Sequence, residues 1–334
     1  MSARAAPEAG CLTFWGCLPQ ERSQVNYSAL EIPREFCWEA FYRKGRMTRI
    51  TTLGRRELIG VVAGVLGACK TADGQPESAF RVVSLSPSTT EAVFAVGAGE
   101  RLVARSRFCD FPLKAKSLPS VGGFIDPSYE AILAQRPSLV IGARGPGGPD
   151  LVHRLRSLGI DTYFPPTRSI AEIEVMVKGV ADALKVAAVG ATVVRAMRKR
   201  KARIQELLAG RSRPRVLMVF GVRPIVVAGR GSFPQELLTL AGARNAVEST
   251  ARYPTVGIER VLTMDPDLII ETTGASMGSA PQLSPSAPGW SSLGAVKAGK
   301  LRHITDPRVL RPGPRIVEGL EVLARAIHPE LPAL

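Results

Sequence analysis

The strongest constraint on this chain is a pattern that occurs twice, over residues 124–141 and 253–270. Phe124 precedes Glu130 by six residues, as Tyr253 precedes Glu259. Leu133 and Leu262 follow those glutamates by three, Pro137 and Pro266 by seven, and an apolar, β-type run closes each copy. Each copy reads as a loop, a short helix, a proline stop and a buried strand. So long a shared register predicts two similar α/β halves. Each half presents one glutamate in the first turn of a helix, where a carboxylate also complements the helix dipole.

The remainder can support two such halves. A length of 334 residues suffices for two ordinary domains. Hydrophobic residues at 45% and charged residues at 22% give a globular balance. Cys11, Cys17, Cys37, Cys69 and Cys109 form no CxxC pair, and His153, His303 and His328 are scattered. No metal site is therefore expected. On a reading that finds no GxSxG, HExxH, phosphate-binding glycine loop or cysteine cluster, no catalytic residues are expected either, an exported enzyme being the less favoured alternative. The net charge of +15 raises nucleic acid as a partner, a question that the compartment decides.

Residues 47–69 carry a charged start with the pair Arg55-Arg56, then an apolar stretch from Leu58 to Ala68 that is too short to span a bilayer. This segment resembles a bacterial twin-arginine export signal, and Leu66-Gly67-Ala68-Cys69 resembles a lipobox with Cys69 as the lipidation site. Residues 1–46 are then expected to be an over-extended leader before a true start at Met47, a genuine extension being the alternative. Residues 70–80 read as a flexible tether. Processing removes nine lysines and arginines and six carboxylates, lowering the net charge from +15 to +12. It leaves Cys109 as the only thiol besides Cys69, so no intrachain disulfide is expected. An exported chain of this kind is not expected to bind nucleic acid.

Residues 81–168 are predicted to form a first α/β lobe. A strand at Arg81–Leu85 leads into Ser88…Glu91, which has capping-box spacing, with Gly97 as the stop. A second strand at Leu102–Ala104, the first copy of the repeat, a helix over Asp150–Leu158 and a strand over Ile160–Phe164 follow. Residues 169–210 lack proline and read as helical, with a break near Lys185. A second helix from Val186 to about Ala209 would be roughly 35 Å long, enough to bridge two lobes. Its basic run, Arg195 to Arg203, is expected to be a solvated face. Residues 211–330 form the second lobe: strands at Arg215–Phe220 and Pro224–Val227, a helix capped by Ser232, the second copy, an exposed loop over Gly274–Gly289, a strand at Lys300–Ile304 and a closing helix. The predicted fold is α/β, with two Rossmann-like lobes of largely parallel sheet bridged by a single long α-helix.

From Arg81 to Pro329 the chain resembles the substrate-binding proteins of ABC importers for cobalamin, ferric siderophores and haem. The resemblance rests on Pro119-Ser120-Val121-Gly122-Gly123, Asp126-Pro127-Ser128-Tyr129-Glu130, Pro137-Ser138-Leu139-Val140-Ile141 and Arg311-Pro312-Gly313-Pro314-Arg315. It implies a ligand held between the lobes, with Glu130 and Glu259 docking onto arginines of a permease that works with an ATPase. Phe124 and Tyr253 match cleft aromatics of the cobalamin-binding relatives, and Phe108 falls in a comparable loop. Arg223, Arg252 and Arg311 are candidates for the cleft mouth and would suit an anionic ligand. Cobalamin is the first expectation, with a ferric siderophore or haem as alternatives; no further cofactor is implied. The expected protein is a monomeric, non-enzymatic envelope lipoprotein, held at the membrane by its lipid alone.

Overall fold

The computed structural model describes residues 80–144, 148–273 and 282–332. The chain divides into two units, Met1–Lys70 and Thr71–Leu334, and all described residues belong to the second. The leader, the Arg55-Arg56 signal, Cys69 and all of the tether but Phe80 lie outside them. So do residues 274–281 of the expected exposed loop. Among the described residues no helix is long and apolar enough to cross a membrane.

Two sheets carry the fold. The first has the order β2-β1-β3-β4, with β1 Val82–Ser84, β2 Leu102–Arg105, β3 Leu139–Ile141 and β4 Asp161–Tyr163, all parallel. Helices α1 Pro87–Ala95, α2 Tyr129–Ala134 and α3 Gly148–Ser157 connect or flank these strands. The second sheet is built on β5 Arg215–Val222, with β9 Leu268–Glu271 and β10 Leu301–His303 parallel on one side. On its other side, β7 Arg244–Asn245 pairs in parallel, while β6 Ile225–Val227 and β8 Thr255–Val256 form an antiparallel margin. Helices α6 Phe233–Leu240, α7 Ile258–Met264, α8 Gly294–Lys297 and α9 Ile316–Ile327 complete this half. The predicted two-lobed α/β plan is correct, and the second sheet is mixed because β6 turns straight back on β5 through a short hairpin.

Between the sheets run α4 Ile170–Ala183 and α5 Ala187–Leu208. Lys185, with φ +54°, makes the break between them. The buried stripe of α5 is Gly190, Val194, Met197 and Ile204, while Val189 is 43% exposed. Gly190 is required for close approach, since a Cβ there would stand 2.4 Å from Ala181. The basic run is not a free face. Arg198 and Lys201 pair with buried Glu174 of α4 at 2.7 and 3.7 Å, and Arg200 donates to Glu321 of α9 at 2.5 Å. These pairs fasten the bridging helix to its neighbours.

The two copies of the repeat correspond element by element. Glu130 and Glu259 are each the second residue of their helix, and Ile132 and Val261 are each fully buried. Arg136 and Asp265, the residues before the two prolines, share left-handed backbone with φ +46° and +38°. Ser138 accepts from the amide of Arg81, just before β1, and Asp267 from that of Arg215, at the start of β5. Leu139 then pairs with Val82, and Leu268 with Val216.

Candidate functional site

The carboxyl ends of the first sheet and of β10 open onto a cleft of roughly 1020 Å³. Open α/β sheets bind ligands at that end of their strands. Ser86 follows β1, Arg107 and Phe108 follow β2, Arg144 follows β3, and Thr305 and Arg311 follow β10. The wall is therefore shared between the two halves.

The first wall is set by the start of α1. Its N-cap is Ser86, whose Oγ accepts from the amide of Thr89 at 3.4 Å and from that of Ala143 at 3.0 Å. Pro87 occupies the first helical position. This corrects the expected cap at Ser88: proline's fixed φ starts the helix one residue after Ser86. Glu91 is consequently free of capping duty. It is buried, and its carboxylate accepts from Arg311 at 2.9 Å and from Arg315 at 2.9 and 2.6 Å. Arg311 also donates to Asp110 at 2.7 Å. Burial opposes ionisation of Asp110, but the hydrogen bond and charge of Arg311 outweigh it and hold its carboxyl below the ordinary range. Arg315 completes the group by stacking on Phe111 at 3.4 Å.

The opposite rim is a tight loop. Gly122, at φ +99°, allows Ser128 to return its amide to the Val121 carbonyl; a Cβ would meet Asp126 O and Ser128 N at 2.7 Å. Phe124 and Ile125 stand at the tip of this loop and line the cleft. Arg107 donates to both oxygens of Asp126 at 2.9 Å and covers the Phe108 ring at 5.0 Å. Phe108 is 52% exposed and Ile125 67%, an unusual apolar display that a large ligand would cover.

Of the sequence-predicted ligand residues, Phe108, Phe124 and Arg311 line this cleft, whereas Tyr253, Arg223 and Arg252 are not among its lining residues. Tyr253 packs edge-on against Phe220 with centroids 5.7 Å apart. Glu130 and Glu259 are both exposed and lie outside the lining as well. Sequence reasoning missed Arg107, Asp110 and Arg144. The strand register was the available signal, because each follows a buried strand by a few residues. The sequence reading that finds no GxSxG is also wrong, because Gly274-Ala275-Ser276-Met277-Gly278 has that serine-nucleophile spacing; these residues lie outside the described ones. Among the described residues no cluster of three or more His, Cys, Asp or Glu could hold a metal ion. Cys109 is buried beside the cleft, and burial pushes its thiol up.

Two α/β lobes joined by helices, with a ligand-sized apolar cleft at their strand ends, define a binding protein. The chain belongs to the periplasmic binding protein family, whose profile it matches over residues 82–307. It is 29% identical to a vitamin B12-binding protein of Vibrio cholerae over 249 residues, 74% of this chain and 88% of that one. It is 26% identical to an uncharacterised ABC transporter substrate-binding lipoprotein of Bacillus subtilis over 257 residues, 75% of this chain and 80% of that one. Among solved structures it resembles the periplasmic haem-binding protein BhuT in complex with two haems, with a TM-score of 0.66 and 25% identity, covering 74% of this chain and 97% of that one. Its relatives are thus substrate-binding proteins of transport systems, and the expected family is the observed one.

Proposed function

We propose that this protein captures cobalamin in the cleft and delivers it to an ABC permease and its ATPase at the cell envelope. One observation carries the choice of ligand: the cleft displays Phe108, Phe124 and Ile125, and its described lining contains no His, Tyr, Cys or Met. Haem iron takes a side-chain axial ligand, which this lining does not offer. A highly anionic ferric siderophore would need several unpaired arginines, and of the three in the lining Arg107 and Arg311 already hold carboxylates. A corrinoid arrives with its metal enclosed and needs aromatic and aliphatic flanks, which Phe108, Phe124 and Ile125 supply. The similarity to a vitamin B12-binding protein supports the same reading.

Glu130 and Glu259 are assigned to permease docking, in keeping with their exposure and shared helical position. Arg55-Arg56 and Cys69 support twin-arginine export and lipid anchoring. The test is to isolate the mature protein, fix its N-terminus by mass spectrometry, and titrate it with cyanocobalamin, haemin and ferric siderophores by calorimetry. Cyanocobalamin should bind at micromolar or better affinity, weakened about tenfold by Phe124→Ala or Phe108→Ala, ~1.4 kcal/mol each. Tight binding of an anionic iron chelate alone would overturn the ligand.

A further inference from the structure

We propose that Arg144 is the anion-recognising residue of the cleft, taking a single phosphodiester or carboxylate group on the ligand. The inference rests on the cleft being the ligand site, and it starts from its charges. Three arginines line the cleft: Arg107, Arg144 and Arg311. Arg107 is held by both oxygens of Asp126. Arg311 is held by Asp110 and by Glu91, which Arg315 also grips. These four arginines face three carboxylates. The balance leaves one positive charge, and it falls on Arg144, whose side chain makes no hydrogen bond, ion pair or ring contact among the described residues.

The other two guanidiniums cannot take the role cheaply. Releasing Arg311 would strip a partner from the buried Glu91 carboxylate, and a buried charge left short of partners is strongly destabilising. Arg107 would have to give up a two-oxygen grip on Asp126. Arg144 gives up only water. Its backbone is anchored, since its amide donates to the Pro165 carbonyl at 3.4 Å, while its side chain is exposed. A guanidinium so placed offers a planar fork that matches an oxyanion and loses little on binding it.

One unpaired cation matches one anionic group. Cobalamin carries a single phosphodiester among neutral amides, and cobinamide, which lacks the nucleotide, carries none. Among iron chelates the equivalent contrast lies between a carboxylate-bearing ferric complex such as ferric citrate and a neutral ferric trihydroxamate. The two pairs separate a phosphodiester from a carboxylate as the recognised group.

The test measures dissociation constants of the mature wild type, Arg144→Gln and Arg144→Lys for both pairs, each at low and high salt. For cyanocobalamin, Arg144→Gln should raise the constant about tenfold, ~1.4 kcal/mol, and remove most of its salt dependence. Arg144→Lys should fall between, because an ammonium lacks the fork. Cobinamide binding should change by less than about twofold, and near-ultraviolet circular dichroism should be unaltered. If the wild type binds neither corrinoid, the cobalamin reading fails, and the assignment is then read from the ferric pair. The assignment to Arg144 is overturned if Arg144→Gln weakens charged and neutral members equally. It is also overturned if the wild type binds the charged members no better than the neutral ones in either pair.

Discussion

Glu91 sits in a helix of the first half yet meets its partners 220 and 224 residues downstream. With its side chain 3% exposed, and those of Arg311 and Arg315 at 15% and 20%, the three form a mostly desolvated ion cluster. Such a group contributes little beyond an apolar equivalent, but removing one member leaves the others uncompensated. Glu91→Ala should therefore cost about 3 kcal/mol or more, read as a lower urea midpoint, with Glu91→Gln intermediate. An unchanged midpoint in both would show that the cluster bears no load. Nothing local announces this role. Glu91 looks like the closing glutamate of a capping box begun at Ser88, and only the position of Pro87 moves the cap to Ser86. Long-range ion pairs leave no periodic trace, so Arg311 could be picked as a cleft residue without its being known to be occupied.

Elements were far more legible, because the repeated register ties loop, helix and strand to fixed spacings. It placed Glu130 and Glu259 at one helical position, and it placed β3 and β9 correctly. It could not rank Phe124 against Tyr253, since equivalent places in two lobes need not face one space. Phe124 reaches the cleft wall, whereas Tyr253 packs on Phe220. The register also hides a cost. A residue before proline is kept out of the right-handed helical region, and both copies leave their helix through left-handed backbone at Arg136 and Asp265. That conformation costs an L-residue about 1–2 kcal/mol. Arg136→Gly and Asp265→Gly should each stabilise the fold by about 1 kcal/mol, or a rise of roughly 2–4 °C in Tm.

At the scale of the whole molecule, the proposed function uses two separate surfaces. The cleft is the proposed ligand site, and the two exposed glutamates proposed for docking lie outside its lining. A charge reversal at both, Glu130→Lys with Glu259→Lys, should abolish uptake in cells and weaken association with the permease complex. Affinity for the ligand in solution should stay within about twofold, because neither glutamate lines the cleft and salt screens exposed charges. Retained docking with lost ligand binding would reverse the two assignments.

The halves are joined by more than the bridging helix. Glu91 ties α1 to the segment after β10, and Glu236 of α6 accepts from the amide of Ile170, the first residue of α4, at 3.1 Å. These ties predict a cleft already shaped before anything enters it. If capture requires no closing step, the association rate should approach the diffusional limit for a small solute and be nearly insensitive to solvent viscosity beyond simple diffusion. Differences in affinity among ligands would be written almost wholly in how long each one stays. For a scavenger of a scarce nutrient, such a trap never misses an arrival for want of being open, and its selectivity lies in which arrivals it is slow to release.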